Sequence, residues 1–377
     1  MDRRYPLEAG LLTRAVRLGS VCAVNGPRLR PALDQLGTYV PGRRPAAGQD
    51  VSRLASNETP FPLLPQVVAA VSEAVADSNR YPDPGAVRLT EALAAKHGVG
   101  TDRIAVGCGS VQLVQELVEI TCDAGDEVLF GWRSFEAYPT LATVAGAVPV
   151  LVPLVDAHLD LTAMAAAVTD RTRLVLLCSP NNPTGPALRA DDVAAFLQQV
   201  PARVLVVLDE AYAEFVDDPE AVDGTRLLPT YPNLLVLRTF SKAYGLAGLR
   251  VGYAIAGTAE VAGALRQVHL PFAVSVAAQA AALASLDAEP QLLAQVAQIV
   301  AMREPLRQEL LRIGWQVPPS QGNFVWLPTG ADSVRVSQVF EDHDVLVRCF
   351  AGDGLRITVG TDKDNERVLR AAAAALP

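Results

Sequence analysis

Several things are scarce in this chain of 377 residues, and each scarcity excludes something. No stretch approaches the run of about eighteen apolar residues that a membrane span needs. The five cysteines (Cys22, Cys108, Cys122, Cys178, Cys349) are odd in number, scattered and without a Cys-x-x-Cys pair, and the four histidines are scattered too. That argues against a disulfide scaffold and against a zinc pattern, so no metal is expected. Reduced thiols suit the cytoplasm. Lys and Arg total 32 against 41 Asp and Glu, a formal net charge of -9, and no basic cluster is present. Nucleic acid and membrane are therefore not expected partners. Residues 1–27 are Arg-rich with interspersed leucines, but they lack the unbroken apolar core of a secretory signal and read as a weakly ordered extension.

What is abundant is alanine, valine and leucine, in a chain long enough for a large core and a second domain. Residues 28–54 read as a turn-rich arm, 55–275 as a large domain and 276–377 as a smaller α+β domain. From Ile104 onward short apolar strands alternate with helical segments: Ile104 to Val106, Glu127 to Phe130, Val148 to Val152, Leu174 to Cys178, Val204 to Leu208, Leu234 to Leu237 and Val251 to Ala256. This is an α/β pattern with a mostly parallel central sheet and helices on both faces. A long alanine-rich helical stretch covers about 276–312, followed by strands at Asn323 to Leu327, Val345 to Arg348 and Leu355 to Val359, and a closing helix.

Polar motifs follow the strands, where an open α/β sheet binds its ligands. Gly107-Cys-Gly-Ser (107–110) opens a helix, and glycines at a helix N-terminus let backbone N–H groups approach a phosphate. Asn182 precedes Pro183, which restricts its backbone and makes its amide a fixed donor. Asp209 ends a strand of five apolar residues and needs a cationic partner, Tyr212 follows three residues later, and Phe135 could stack on a flat ring. Between two apolar runs, residues 238–250 carry Thr239, Ser241, Lys242 and Arg250. An amine beside hydroxyls and a guanidinium suits a covalently held carbonyl cofactor with a phosphate. Taken singly each motif has a plainer reading: a turn, a helix cap, core packing or a basic loop. Together they describe a phosphate pocket, a carboxylate for a ring nitrogen, donors for a ring oxygen and an amine, which is a site for pyridoxal 5'-phosphate.

The chain resembles the fold type I pyridoxal-phosphate aminotransferases. The resemblance runs from about residue 28 to the end. It is carried by Ser-Asn-Glu-Thr-Pro (56–60), Arg-Tyr-Pro (80–82), Ser-Pro-Asn-Asn-Pro-Thr-Gly (179–185), Asp-Glu-Ala-Tyr (209–212), residues 238–250 and Leu-Arg-Ile-Thr-Val-Gly (355–360). It is nearest the histidinol-phosphate aminotransferase branch. Tyr-Val-Pro-Gly (39–42), Val-Gly-Cys-Gly-Ser-Val (106–111), Phe-Gly-Trp-Arg-Ser-Phe-Glu (130–136) and residues 319–328 are most similar to the actinobacterial aromatic amino-acid (phenylalanine) aminotransferases. The chain departs from the commoner form of the phosphate loop at Cys108 and Val111, where Asn and an acidic residue are usual.

The resemblance implies that Lys242 carries the cofactor, while Gly109, Ser110, Thr239, Ser241 and Arg250 bind its phosphate. Asp209 would pair with the ring nitrogen, Asn182 and Tyr212 would reach the ring oxygen, and Phe135 would stack. Tyr81 is expected at the other subunit's cofactor phosphate, which implies a homodimer with shared active sites. Arg356 is expected to clamp the substrate carboxylate, and Tyr39, Asn57, Phe272, Asn323 and Arg348 to line the substrate end. The implied reaction moves an amino group from an aromatic L-amino acid to a 2-oxo acid, with 2-oxoglutarate the expected acceptor. The alternatives are histidinol-phosphate transamination, decarboxylation of an amino-acid phosphate, and a non-enzymatic cofactor-binding regulator.

Overall fold

The computed structural model describes residues 27, 29–36, 48 and 50–376. The N-terminal extension up to residue 26, and Tyr39, lie outside them. The chain divides into two compact units, residues 1–36 and 37–377. The described part of the first contains a single 3-10 turn, Pro31–Gln35, and the second holds both sheets.

In chain order the strands are β1 (Ser52–Leu54), β2 (Ile104–Gly107), β3 (Glu127–Trp132), β4 (Val148–Pro153), β5 (Thr172–Cys178), β6 (Leu205–Asp209), β7 (Leu234–Thr239), β8 (Gly252–Ala256), β9 (Phe324–Leu327), β10 (Val345–Phe350) and β11 (Gly354–Thr358). Seven of them form the large sheet in the order β2-β8-β7-β6-β5-β3-β4, and β8 alone is reversed against its neighbours. Successive strand residues point to opposite faces, and here both faces are covered. Leu174 and Leu176 enter one core, with Leu113 and Leu117 of the helix Gly109–Thr121, while Val175 and Leu177 enter the other, with Phe196 of the helix Ala190–Gln199. Burial on both sides is why these strands read as continuous apolar runs rather than as alternation.

The smaller sheet has the order β1-β10-β11-β9. Its first strand comes from the arm and pairs in parallel with β10, joining Ser52 to Val345. The expected helical stretch over 276–312 is divided into two helices, Val276–Asp287 and Glu289–Ile313. Pro290 explains the break, because it has no N–H to give to the preceding turn and its ring crowds that turn's carbonyl. Pro305 lies inside the second helix without ending it. The first of these helices packs on Pro65–Ala76 and Val87–His97. Four helices went unread in the sequence, the shortest of them Leu161–Ala166. Ala137–Ala145 carries Pro139 in its first turn, and Ala259–Val268 has a glycine in its middle. Ser333–Asp342 begins Ser-Val-Arg-Val-Ser, whose alternation mimics a strand.

Candidate active site

The motif loops meet at the carboxyl edge of the large sheet. Strands β2, β5, β6 and β7 end there in residues 107–110, 179–185, 209–212 and 239–242. Because β8 runs the other way, its start lies at the same edge, and this brings Arg250 to the loops that precede it. The register joins Gly252 to both Gly107 and Thr239. A Cβ at Gly252 would come within 2.6 Å of the Ser110 nitrogen, so the close approach of strand to helix start requires glycine. Gly109 has φ +76° and presents its bare Cα to the Arg250 guanidinium, which a Cβ would meet at 2.5 Å.

One cavity is lined by Ser110, Phe135, Asn182, Asp209, Tyr212, Thr239, Ser241, Lys242, Arg250, Arg348 and Arg356. The phosphate candidates hold one another. Thr239 Oγ1 donates to Ser241 Oγ at 3.0 Å and accepts the Ser241 N–H at 3.1 Å, and Arg250 reaches Ser241 Oγ at 3.4 Å. Together with the N-terminus of the helix Gly109–Thr121 they form a cationic cradle rich in donors.

Lys242 donates from Nζ to the Ser56 carbonyl at 2.9 Å. Burial, with Arg356 and Arg250 nearby, brings its amine down to about 7, so much of it is neutral at physiological pH. Asp209 is buried, and its Oδ2 accepts from the Tyr138 hydroxyl at 2.5 Å while Oδ1 has no partner. Burial raises the carboxyl to about 6. A buried carboxylate oxygen without a partner costs free energy, which a cation placed against it would recover. This, with the donor-rich cradle, fits a phosphorylated cationic ring. Asn182 Oδ1 accepts from Arg356 Nη1, so its amide hydrogens remain to donate. Arg356 Nη2 also donates to the Ala55 carbonyl at 2.7 Å. Arg348 pairs with Glu136 at 2.6 Å, and both line the cavity.

Of the residues expected at the substrate end, Asn57, Asn323 and Phe272 do not line this cavity. Asn57 and Asn323 are wholly buried behind Tyr212 rather than on the cavity wall. Tyr81 is 81% exposed and stacks on Phe272, with ring centroids 4.5 Å apart, outside the lining. Trp132, in the motif 130–136, packs on Phe130 beneath the Arg133 guanidinium. Sequence reasoning missed Tyr138, Glu136 and the Ser56 and Ala55 carbonyls. Nothing in a lone helical tyrosine or in a backbone oxygen distinguishes it in a sequence. It also missed the ion pair of the half-buried Arg238 with the buried Glu210, 2.6 Å apart, which latches the residues flanking Thr239 and Asp209.

The family described as aminotransferase class I and II matches this chain over residues 49–371, and the chain belongs to it. It is 52% identical over 348 residues to an aromatic amino acid aminotransferase of Thermobifida fusca (strain YX), covering 92% of this chain and 96% of the relative. To the enzyme of the same name from Rhodococcus opacus (strain B4) it is 54% identical over 345 residues, covering 91% and 94%. Among solved structures it is similar to the histidinol-phosphate aminotransferase of Sinorhizobium meliloti in complex with pyridoxal-5'-phosphate. The TM-score is 0.83 and the identity 30%, with 92% and 97% of the two chains covered.

Proposed function

We propose that this protein is a cytoplasmic, homodimeric, pyridoxal-phosphate-dependent aminotransferase that moves the amino group of an aromatic L-amino acid to 2-oxoglutarate. The observation that carries the reading is one cavity holding a lysine of near-neutral pKa and a buried aspartate with an unpartnered oxygen. The relatives from Thermobifida and Rhodococcus support the aromatic donor, and Phe135 gives the cavity an aromatic wall.

Bound here, the cofactor would supply an electron sink for the charge left when the substrate Cα loses its proton. In this reading Asp209 Oδ1 would hold its ring nitrogen in the protonated form, and Asn182 and Tyr212 would hold its ring oxygen. Gly109, Ser110, Thr239, Ser241 and Arg250 hold the phosphate, and Phe135 covers one face of the ring. Lys242 carries the cofactor at rest. Freed by the substrate amine, its Nζ would be the base that takes the proton from the substrate Cα. Arg356 receives the α-carboxylate as a two-pronged donor. Arg348, held by Glu136 on the same wall, faces the second carboxylate of the acceptor. Tyr81, exposed with Phe272, reaches the cofactor phosphate of the partner subunit.

A substrate panel tests the assignment. The ratio kcat/KM should be higher for phenylalanine than for histidinol phosphate, with 2-oxoglutarate as acceptor. The reverse order would make the protein a histidinol-phosphate aminotransferase, and carbon dioxide release without a 2-oxo acid product would make it a decarboxylase.

A further inference from the structure

The Tyr212 hydroxyl has one hydrogen to give. Its oxygen accepts from Asn57 Nδ2 at 2.9 Å. A hydroxyl that receives a hydrogen on one side is left to donate on another, and Tyr212 lines the cavity. Asn57 would reverse this if its amide turned over, because Oδ1 would then face Tyr212 and draw the hydrogen inward. Thr358 opposes that turn. Its Oγ1 accepts the Asn57 backbone N–H at 3.0 Å, and its hydroxyl donates to Asn57 Oδ1 at 3.0 Å. With the amide reversed, the Thr358 hydroxyl would lose that acceptor in a site only 1% exposed.

The surroundings fix the rest of the arrangement. Asn323 Nδ2 holds the Asn57 carbonyl at 3.1 Å. Asn57 itself sits at φ +54°, a left-handed conformation that Asn tolerates better than most residues. Phe324 packs edge-on against the Tyr212 ring, with centroids 5.1 Å apart. Burial pushes the Tyr212 phenol up to about 12, so the hydroxyl keeps its hydrogen at neutral pH.

We propose that Thr358 and Asn57 are positioning residues that fix Tyr212 as a hydrogen-bond donor into the cavity, toward the ring oxygen of the bound cofactor. The inference rests on the reading that pyridoxal 5'-phosphate occupies this cavity. Arg356 and Thr358 are two residues apart on β11 and so share a face. One strand thereby carries both the expected carboxylate clamp and the group that aims Tyr212.

The test is a pH titration of the visible absorption of the holoenzyme loaded with pyridoxal 5'-phosphate. Donation to the ring oxygen favours its deprotonated form, so losing the donor raises the midpoint. Thr358→Val should raise it by about one pH unit, a tenfold change in the equilibrium. Tyr212→Phe should raise it at least as far, and Thr358→Ser should restore it. In the Tyr212→Phe background, Thr358→Val should add nothing. An unchanged midpoint in Thr358→Val, or an equal shift in both backgrounds, overturns the proposal. Should Thr358→Val not fold, Asn57→Asp replaces it, since Asp tolerates the same φ and offers oxygen to both hydroxyls. Its charge acts in both backgrounds, so the excess shift when Tyr212 is present measures the lost donor, and no excess overturns the proposal. An unmodified protein that takes up no cofactor at all sinks the cofactor reading, and this inference with it. A cofactor that binds with an indifferent midpoint sinks this inference alone.

Discussion

The two sheets hold their polar groups in opposite ways. At the edge of the large sheet, Asp209 keeps one oxygen without a partner and Lys242 is pressed toward its neutral form. At the small sheet the terminal nitrogens of the arginines are already engaged, Arg348 Nη2 with Glu136 and Arg356 Nη1 and Nη2 with Asn182 and Ala55. An unsatisfied site is costly when empty and suits a guest that stays. A pre-paired site is satisfied when empty and suits a guest that comes and goes, because its charges need not be stranded between visits. The contrast matches a resident cofactor on one side and a transient substrate on the other.

The most severe way to break the resident side is Lys242→Ala. It should remove the cofactor's covalent absorption band and lower kcat at least about ten-thousandfold, or more than about 5 kcal/mol, read by spectrum and steady-state rate. Next is Arg238→Leu, which strands the buried Glu210. A loss of about 3–5 kcal/mol is expected in denaturant unfolding, and a loss under 1 kcal/mol would mean the latch is not needed. On the transient side, Arg356→Lys keeps the charge but loses the fork. Here kcat/KM should fall about a hundredfold for donor and acceptor alike, with cofactor affinity held within about threefold. Arg348→Gln should act on one substrate only, raising KM for 2-oxoglutarate about tenfold and leaving phenylalanine within about threefold. The mildest test is pH. Burial and neighbouring cations disfavour the charged Lys242 amine, so it is protonated below about 7 and neutral above. Reductive methylation of the apoprotein at this residue should therefore reach half its maximal rate near pH 7, and a midpoint near that of ordinary lysines would contradict the arrangement.

The large sheet was readable because burial on both faces leaves runs such as Leu174 to Cys178 with no polar interruption. The cofactor side was readable because its residues sit in short contiguous motifs at strand ends. Other features could not be read this way. Ser333–Asp342 carries strand-like alternation, yet it buries Val336 and Phe340, four apart, on one helical face. Asn57 is more instructive. Its motif suggested a place at the substrate end, but its role depends on a left-handed backbone and on a hydroxyl 301 residues away. No local pattern encodes a partner at that distance, and Tyr138 escaped notice for the same reason, lying 71 residues from Asp209.

The reversed strand β8 has a consequence for how the site can change. The other loops at the binding edge are separated in the chain by whole crossover segments, so an insertion in one of those segments leaves their mutual spacing to the sheet. Lys242 and Arg250 lie on one short connection, with turns at 242–245 and 246–249, between paired strands, with Arg238 opposite Tyr253 and Thr239 opposite Gly252. An insertion there cannot be absorbed at a distance and would carry the amine away from the guanidinium. The chain can thus lengthen almost anywhere on the far edge of the sheet, whereas this connection is held to a fixed number of residues.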